Sequence, residues 1–426
     1  MQPLLRRSTL PHGLRVVTEQ TPGARAFNVG FFVAVGSRDE SRELHGASHF
    51  LEHVLFKGTP TRDSEQISAS IEAQGGDLNA YTTREYTCFH MRVLTEQAEL
   101  AVDVLSDMLA NSLIRPADFG IEREVILDEI AMHDDDQGEV AIEAAIAGLF
   151  ADSELARTVI GSSTSIGRQS ARRVRDYWRR GYTSDRIVVS AVGDVDHDAL
   201  CATLSAFDAA LQPGEGSTPM CRRTALASTR PRVTRSTTDL AQTTVVLAFD
   251  GMAALDPRRE ALALLAVALG GGMSSRLFLE VRERRALAYT IDCSESAWSD
   301  AGIFTIDWQA LPERTAEIMD VVQRIVADVR RDGITAIELE AAVGQLVGQT
   351  ILHFENPSAR MSRLGSGELL GDRRTLDDIV TAYRAVTLDD VNTLAREVLA
   401  PVPVVALAGA SVSRSLAEGL QKHWLI

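Results

Sequence analysis

The chain has 426 residues, 45% of them hydrophobic and 24% charged, with a formal net charge of −16. Such proportions are those of a globular protein and exclude whole-chain disorder or a fibrous repeat. The acidic excess argues against nucleic acid as a partner, because that binding rests on Lys and Arg neutralising phosphates. No uncharged apolar run approaches the roughly 18–20 residues that cross a bilayer.

Arg6 and Arg7 near the start are followed by no apolar stretch, so no secretory signal is read and a cytoplasmic chain is expected. Residues 14–17 and 28–35 read as strands, the second ended by a turn at Gly36-Ser37-Arg38-Asp39-Glu40. Residues 47–56 carry apolar side chains at helical spacing. A glycine pair, Gly75-Gly76, then leads into a strand read over 76–87, with a free edge able to take up a peptide as a further strand. Helices are predicted over 95–111 and 116–132, and a buried strand over 187–192.

Residues 212–239 are rich in Pro, Gly, Ser, Thr and Arg and read as a linker. After it the order recurs. There is a strand at 243–249, a helical stretch, a glycine cluster at 270–272 and a strand opened by Ala288-Tyr289-Thr290. Helices follow at 312–331 and 335–354, then a strand at 402–407. The glycine cluster lacks the lysine and spacing of a phosphate loop. The expectation is α+β: two homologous domains, 1–211 and 240–426, each an antiparallel sheet flanked by helices. Cys88, Cys201, Cys221 and Cys293 are scattered, with no CxxC pair. They read as buried small hydrophobes rather than a disulfide framework or thiolate metal site.

The chemistry concentrates in His49-Phe50-Leu51-Glu52-His53. On a helix, positions four apart differ by only about 40° around the axis, so both imidazoles project from one face. They can reach a single zinc at about 2.0–2.1 Å. Glu52 shares that face and can sit beside a metal-bound water. A third ligand is available in the helix over 116–132, where Glu122 and Glu129 lie seven apart, two turns along one face. His133 is a competing candidate, ranked lower because an Asp134-Asp135-Asp136 run beside it reads as an exposed loop.

His49 to His53 followed by Phe56-Lys57-Gly58-Thr59 resembles the inverted zincin signature of the pitrilysin-type metallopeptidases. The resemblance extends to Gly36–Glu40, Gly75–Tyr81, Glu122–Glu129, Leu269–Phe278, and Val281-Arg282 through Tyr289. It covers essentially the whole chain, at a length like that of the mitochondrial processing peptidase and its bacterial relatives. It implies a zinc endopeptidase in which His49, His53 and Glu129 bind Zn2+, Glu52 is the general base, and Glu122 orients a ligand. Asn79 and Ala80 would hold substrate, and Arg282 and Tyr289 would reach an active site from the second half. It further implies a homodimer closing as a clamshell on unfolded peptides, with basic peptides favoured by the acidic balance. A non-catalytic scaffold or binding subunit of the same fold is the competing reading.

Overall fold

A computed structural model describes residues 4–151, 153–211, 232–234, 241–409, 412–422 and 424. Apart from 232–234, the expected linker at 212–239 lies outside the described residues, as does Cys221. The chain forms two compact units. The first comprises Met1–Ile130, Arg157–Arg222 and His353–Arg373; the second comprises Ala131–Ala156, Arg223–Leu352 and Arg374–Ile426.

In the first unit, β1 (Leu4–Thr9), β2 (Arg15–Gln20), β3 (Ala26–Val33), β4 (Asp77–Thr82), β5 (Thr87–Leu94) and β6 (Ile187–Gly193) form one sheet, in the order β1-β2-β6-β3-β5-β4. Buried Phe27, Val29, Phe31, Phe89, Met91, Val189 and Ala191 face a helical layer. That layer includes α1 (Ala47–Leu55), α2 (Ser64–Glu72), α3 (Ala98–Asn111) and α4 (Pro116–Asp135). The expected strand over 76–87 is interrupted. Thr83 accepts on its hydroxyl from the amides of Glu85 and Tyr86, and its own amide donates to the Tyr86 carbonyl at 2.8 Å. This local turn chemistry folds the segment into the β4–β5 hairpin.

The second unit repeats the design. Its strands β7 (Arg232–Thr234), β8 (Thr243–Asp250), β9 (Thr290–Ala297), β10 (Gly302–Ala310) and β11 (Val404–Gly409) order as β7-β11-β8-β10-β9. The sheets are antiparallel as expected, except that β2–β6 and β7–β11 pair in parallel. These parallel pairs occupy matching places in the two orders.

The units differ from contiguous halves because each takes a helix from the other half of the sequence. Helix α5 (Gln137–Leu149) lays Val140, Ala141, Ala145 and Ile146 on Val246, Ala248, Val404 and Ala406 of the second sheet. The helix Pro357–Leu370 covers Phe32, Cys88, Val188 and Val192 of the first sheet with Met361. Close approach there requires Gly365, whose added Cβ would stand 2.2 Å from the Phe32 ring. Ser190 Oγ donates to the Met361 carbonyl at 2.8 Å, and Arg360 pairs with Glu19 at 2.5 Å.

In the second unit, Asp307 on β10 stands opposite Asp292 on β9. Burial, then the neighbouring Asp292 charge, pushes the Asp307 carboxyl up to about 7. An unfolded Asp titrates near about 4, so between those values the native chain holds a proton that the unfolded chain lacks. Stability therefore falls as pH rises through that window. Asp307→Asn is expected to flatten this slope and to stabilise the chain at pH 8 by on the order of a few kcal/mol. Urea unfolding at about pH 5 and 8 checks it.

Candidate metal centre

Helix α1 is built for two faces. Ala47, Phe50, Leu51, Val54 and Leu55 are buried against the sheet, the i, i+3, i+4, i+7, i+8 pattern of an amphipathic helix. His49, Glu52 and His53 lie on the other face. The two imidazoles are 4.7 Å apart, centre to centre.

Helix α4 packs beside α1. It buries Phe119, Glu122, Ile126 and Ile130, one residue per turn. Phe119 stacks on Phe50 with ring centres 3.9 Å apart and planes 8° from parallel. This contact fixes the two helices one turn from where their polar groups meet.

There His49, His53 and Glu129 each offer a ligand atom, all within 4.8 Å of one another. Glu129 Oε2 is 3.7 Å from His49 Nε2 and 3.4 Å from His53 Nε2. Donors about 2.0–2.1 Å from a shared tetrahedral ion stand about 3.3–3.4 Å apart; the two distances to Glu129 approach that spacing, and the set could hold one divalent ion. Burial, then the neighbouring His53, pushes His49 down to about 3. Its ring is therefore neutral, the form that ligates metal.

Glu122, buried, stands behind His53, with Oε2 3.1 Å from Nδ1. A carboxylate there favours the tautomer with the proton on Nδ1, which leaves the Nε2 lone pair for a metal, the usual arrangement behind a metal-binding histidine. Lys57 Nζ meets the other Glu122 oxygen at 2.7 Å and supplies a counter-charge for the buried carboxylate. Sequence reasoning gave Lys57 no role; its place one turn past His53 was the available signal. His133 lies elsewhere: its ring nitrogens are 3.6 Å from Asp134 and 3.8 Å from Glu139. The expected loop beside it is in fact the last turn of α4 and the cap of α5, where Asp136 accepts from the amides of Gly138 and Glu139.

Glu52 is held from the sheet. Thr82, the last residue of β4, donates its hydroxyl to Glu52 Oε2 at 2.5 Å. Burial pushes the Glu52 carboxyl up and the Thr82 bond draws it back. Thr82 was not singled out from the sequence, although it lies only two residues beyond Ala80. Asn79 and Ala80 sit on β4, which ends the sheet order. The Ala80 amide is met by Asn79's own side-chain oxygen at 2.8 Å, a local bond that an incoming strand could replace.

Arg282 and Tyr289 belong to the second unit. The Arg282 guanidinium lies between two rings, 4.8 Å from the centre of Phe278 and 4.5 Å from that of Tyr289, a cation–π arrangement. Tyr289 is 74% exposed, so it is no part of the sheet core. Both border an open cleft of about 340 Å³ that also takes in Gln309 and Arg314. Arg282 lies in a π-helical turn, Phe278–Arg284, and Ala286 just beyond it has φ of 50°. Irregular backbone of both kinds concentrates at functional positions.

The family follows from comparison with known proteins. The insulinase (peptidase family M16) profile matches residues 15–163, and that of the peptidase M16 inactive domain matches 169–346. An "uncharacterized zinc protease" of Streptomyces coelicolor is 40% identical over 415 residues, 95% of this chain and 89% of its own. One from Mycobacterium tuberculosis is 41% identical over 98% of this chain and 96% of its own. One from Bacillus subtilis is 33% identical over 96% of this chain and 99% of its own. Among solved structures, a protease from Helicobacter pylori superposes with a TM-score of 0.88 at 18% identity, covering 96% of this chain and 100% of that one. The chain is a member of peptidase family M16.

Proposed function

We propose that the chain is a zinc-dependent endopeptidase acting on unfolded peptides. The convergence of His49, His53 and Glu129 on one point, with Glu52 beside it, carries this reading. The curated relatives named zinc proteases support its general class. His49, His53 and Glu129 would hold the ion, and Glu122 fixes the His53 ring. Bound zinc would supply Lewis acidity and a water of lowered pKa. Glu52 takes a proton from the attacking water on the oxygen that Thr82 leaves free, then delivers it to the departing amine nitrogen. The substrate backbone pairs with the free edge of β4 at Asn79 and Ala80, which brings its carbonyl toward Glu52. Purified chain should carry about one zinc, and a chelator should abolish cleavage of a quenched fluorescent peptide. Metal-independent cleavage, or no zinc after loading, refutes the reading.

A cytoplasmic setting agrees with the free thiols of Cys88, Cys201 and Cys293, and no described helix is long and apolar enough to cross a membrane. Within this reading, two copies close on substrate, and Arg282 and Tyr289 of one serve the metal centre of the other. The exposed Tyr289 hydroxyl would donate to the developing oxyanion. Mixed His49→Ala and Tyr289→Phe chains, each inactive alone, should recover part of the wild-type rate once subunits exchange. Absence of recovery after proven exchange rejects the sharing.

A further inference from the structure

The motif Gly36–Glu40 has no part in the chemistry above, yet it ends in a carboxyl group that is only 1% exposed. Glu40 turns this group toward the start of α1. Oε2 accepts from the Gly46 amide at 2.8 Å, and Oε1 from the Ser48 amide at 2.7 Å.

Helix α1 has no cap of its own. Its N-cap is Gly46, at φ of 87°, with no side chain to receive the first amides. A helix start leaves such donors unpaired, and buried ones must find acceptors. Glu40 supplies both from six residues upstream. The cap is itself pinned. Arg157 donates to the Glu40 carbonyl at 2.6 Å, and Ser48 Oγ lies 2.9 Å from the Tyr177 hydroxyl, itself bonded to the Gly36 carbonyl at 3.4 Å.

Ser48 directly precedes His49. Whatever fixes the Ser48 amide therefore sets the phase of His49, and through the helix that of Glu52 and His53. Metal ligands must be held to within about 0.5 Å of productive geometry.

We propose that Glu40 is a positioning residue of the metal centre, holding the first turn of α1 in register so that the two imidazoles converge before metal arrives. The inference rests on the zinc reading above. Its test is zinc affinity of the full-length apoprotein, measured by competition with a chromophoric chelator, alongside circular dichroism and peptide cleavage. Glu40→Gln replaces one acceptor oxygen with an NH2 group facing an amide. It should remain folded, bind zinc at least about tenfold more weakly, and lose kcat at saturating zinc with KM little changed. Glu40→Asp should recover part of the affinity.

A folded Glu40→Gln chain with affinity and kcat within twofold of wild type overturns the proposal while leaving the zinc reading intact. A wild-type chain that binds no zinc overturns both. If Glu40→Gln does not fold, amide exchange in the wild-type apoprotein decides. Slow exchange at Gly46 and Ser48 without zinc supports a preset turn; fast exchange that slows only with zinc refutes it.

Discussion

Glu52→Gln should bind zinc as tightly as the parent chain and cleave peptides about 10²–10⁴-fold more slowly, the usual contribution of a general acid–base group. The replacement keeps shape and can still accept from the Thr82 hydroxyl at the amide oxygen, so packing around α1 should be unchanged. On the proposed mechanism, what disappears is the ability to receive a proton from water and return it to the leaving nitrogen. Because Glu52 stands outside the His49, His53 and Glu129 set, the metal content should not move. Kinetics and elemental analysis on the same preparation check the pair of outcomes. Loss of zinc in the variant would place Glu52 among the ligands and break the assignment of roles.

Phe119→Ala is expected to have the largest effect on stability. Phe119 is buried, and removing a buried phenylalanine ring costs about 3–5 kcal/mol. The ring it leaves behind is Phe50, stacked at 3.9 Å on the helix that carries both histidines. Glu122 lies three residues along α4 from Phe119 and Glu129 ten. A void at the stack therefore loosens both carboxylates relative to the imidazoles, and zinc affinity should fall together with the unfolding midpoint. Phe119→Leu keeps most of the volume and should lose less of each. A variant that lost stability but kept full affinity would show that the stack does not register the two helices.

The grouping of His49, His53 and Glu129 was largely legible in the sequence, and the reason is geometric. His49, Glu52 and His53 lie within five residues, where helical periodicity alone decides which side chains share a face. Glu122 and Glu129 obey the same arithmetic on α4. What periodicity cannot supply is contact across distance. Glu40 reaches α1 from a turn, Thr82 reaches Glu52 from a strand, and Lys57 reaches Glu122 by curling back past the helix end. Each is a polar side chain of a common type, with nothing in the linear pattern to name its partner. The strand read over 76–87 stops at Thr82 for a related reason: the Thr83 hydroxyl bonds its neighbours' amides, and alternation of side chains does not register a side-chain-to-backbone bond.

The placement of α5 and of the helix Pro357–Leu370 lay further still from a linear reading. Each has an ordinary apolar stripe, and nothing in either says that it covers a sheet encoded hundreds of residues from the obvious neighbour. Cut the backbone anywhere in 212–231 and neither fragment owns a complete set of layers. The amino-terminal piece would leave Phe32, Cys88, Val188 and Val192 bare, and the carboxy-terminal piece would leave Val246, Ala248, Val404 and Ala406 bare. Such fragments are reciprocal guests, each holding the missing lining of the other. A nicked chain would accordingly persist as a non-covalent pair, and separately produced pieces would find solubility only in each other's company.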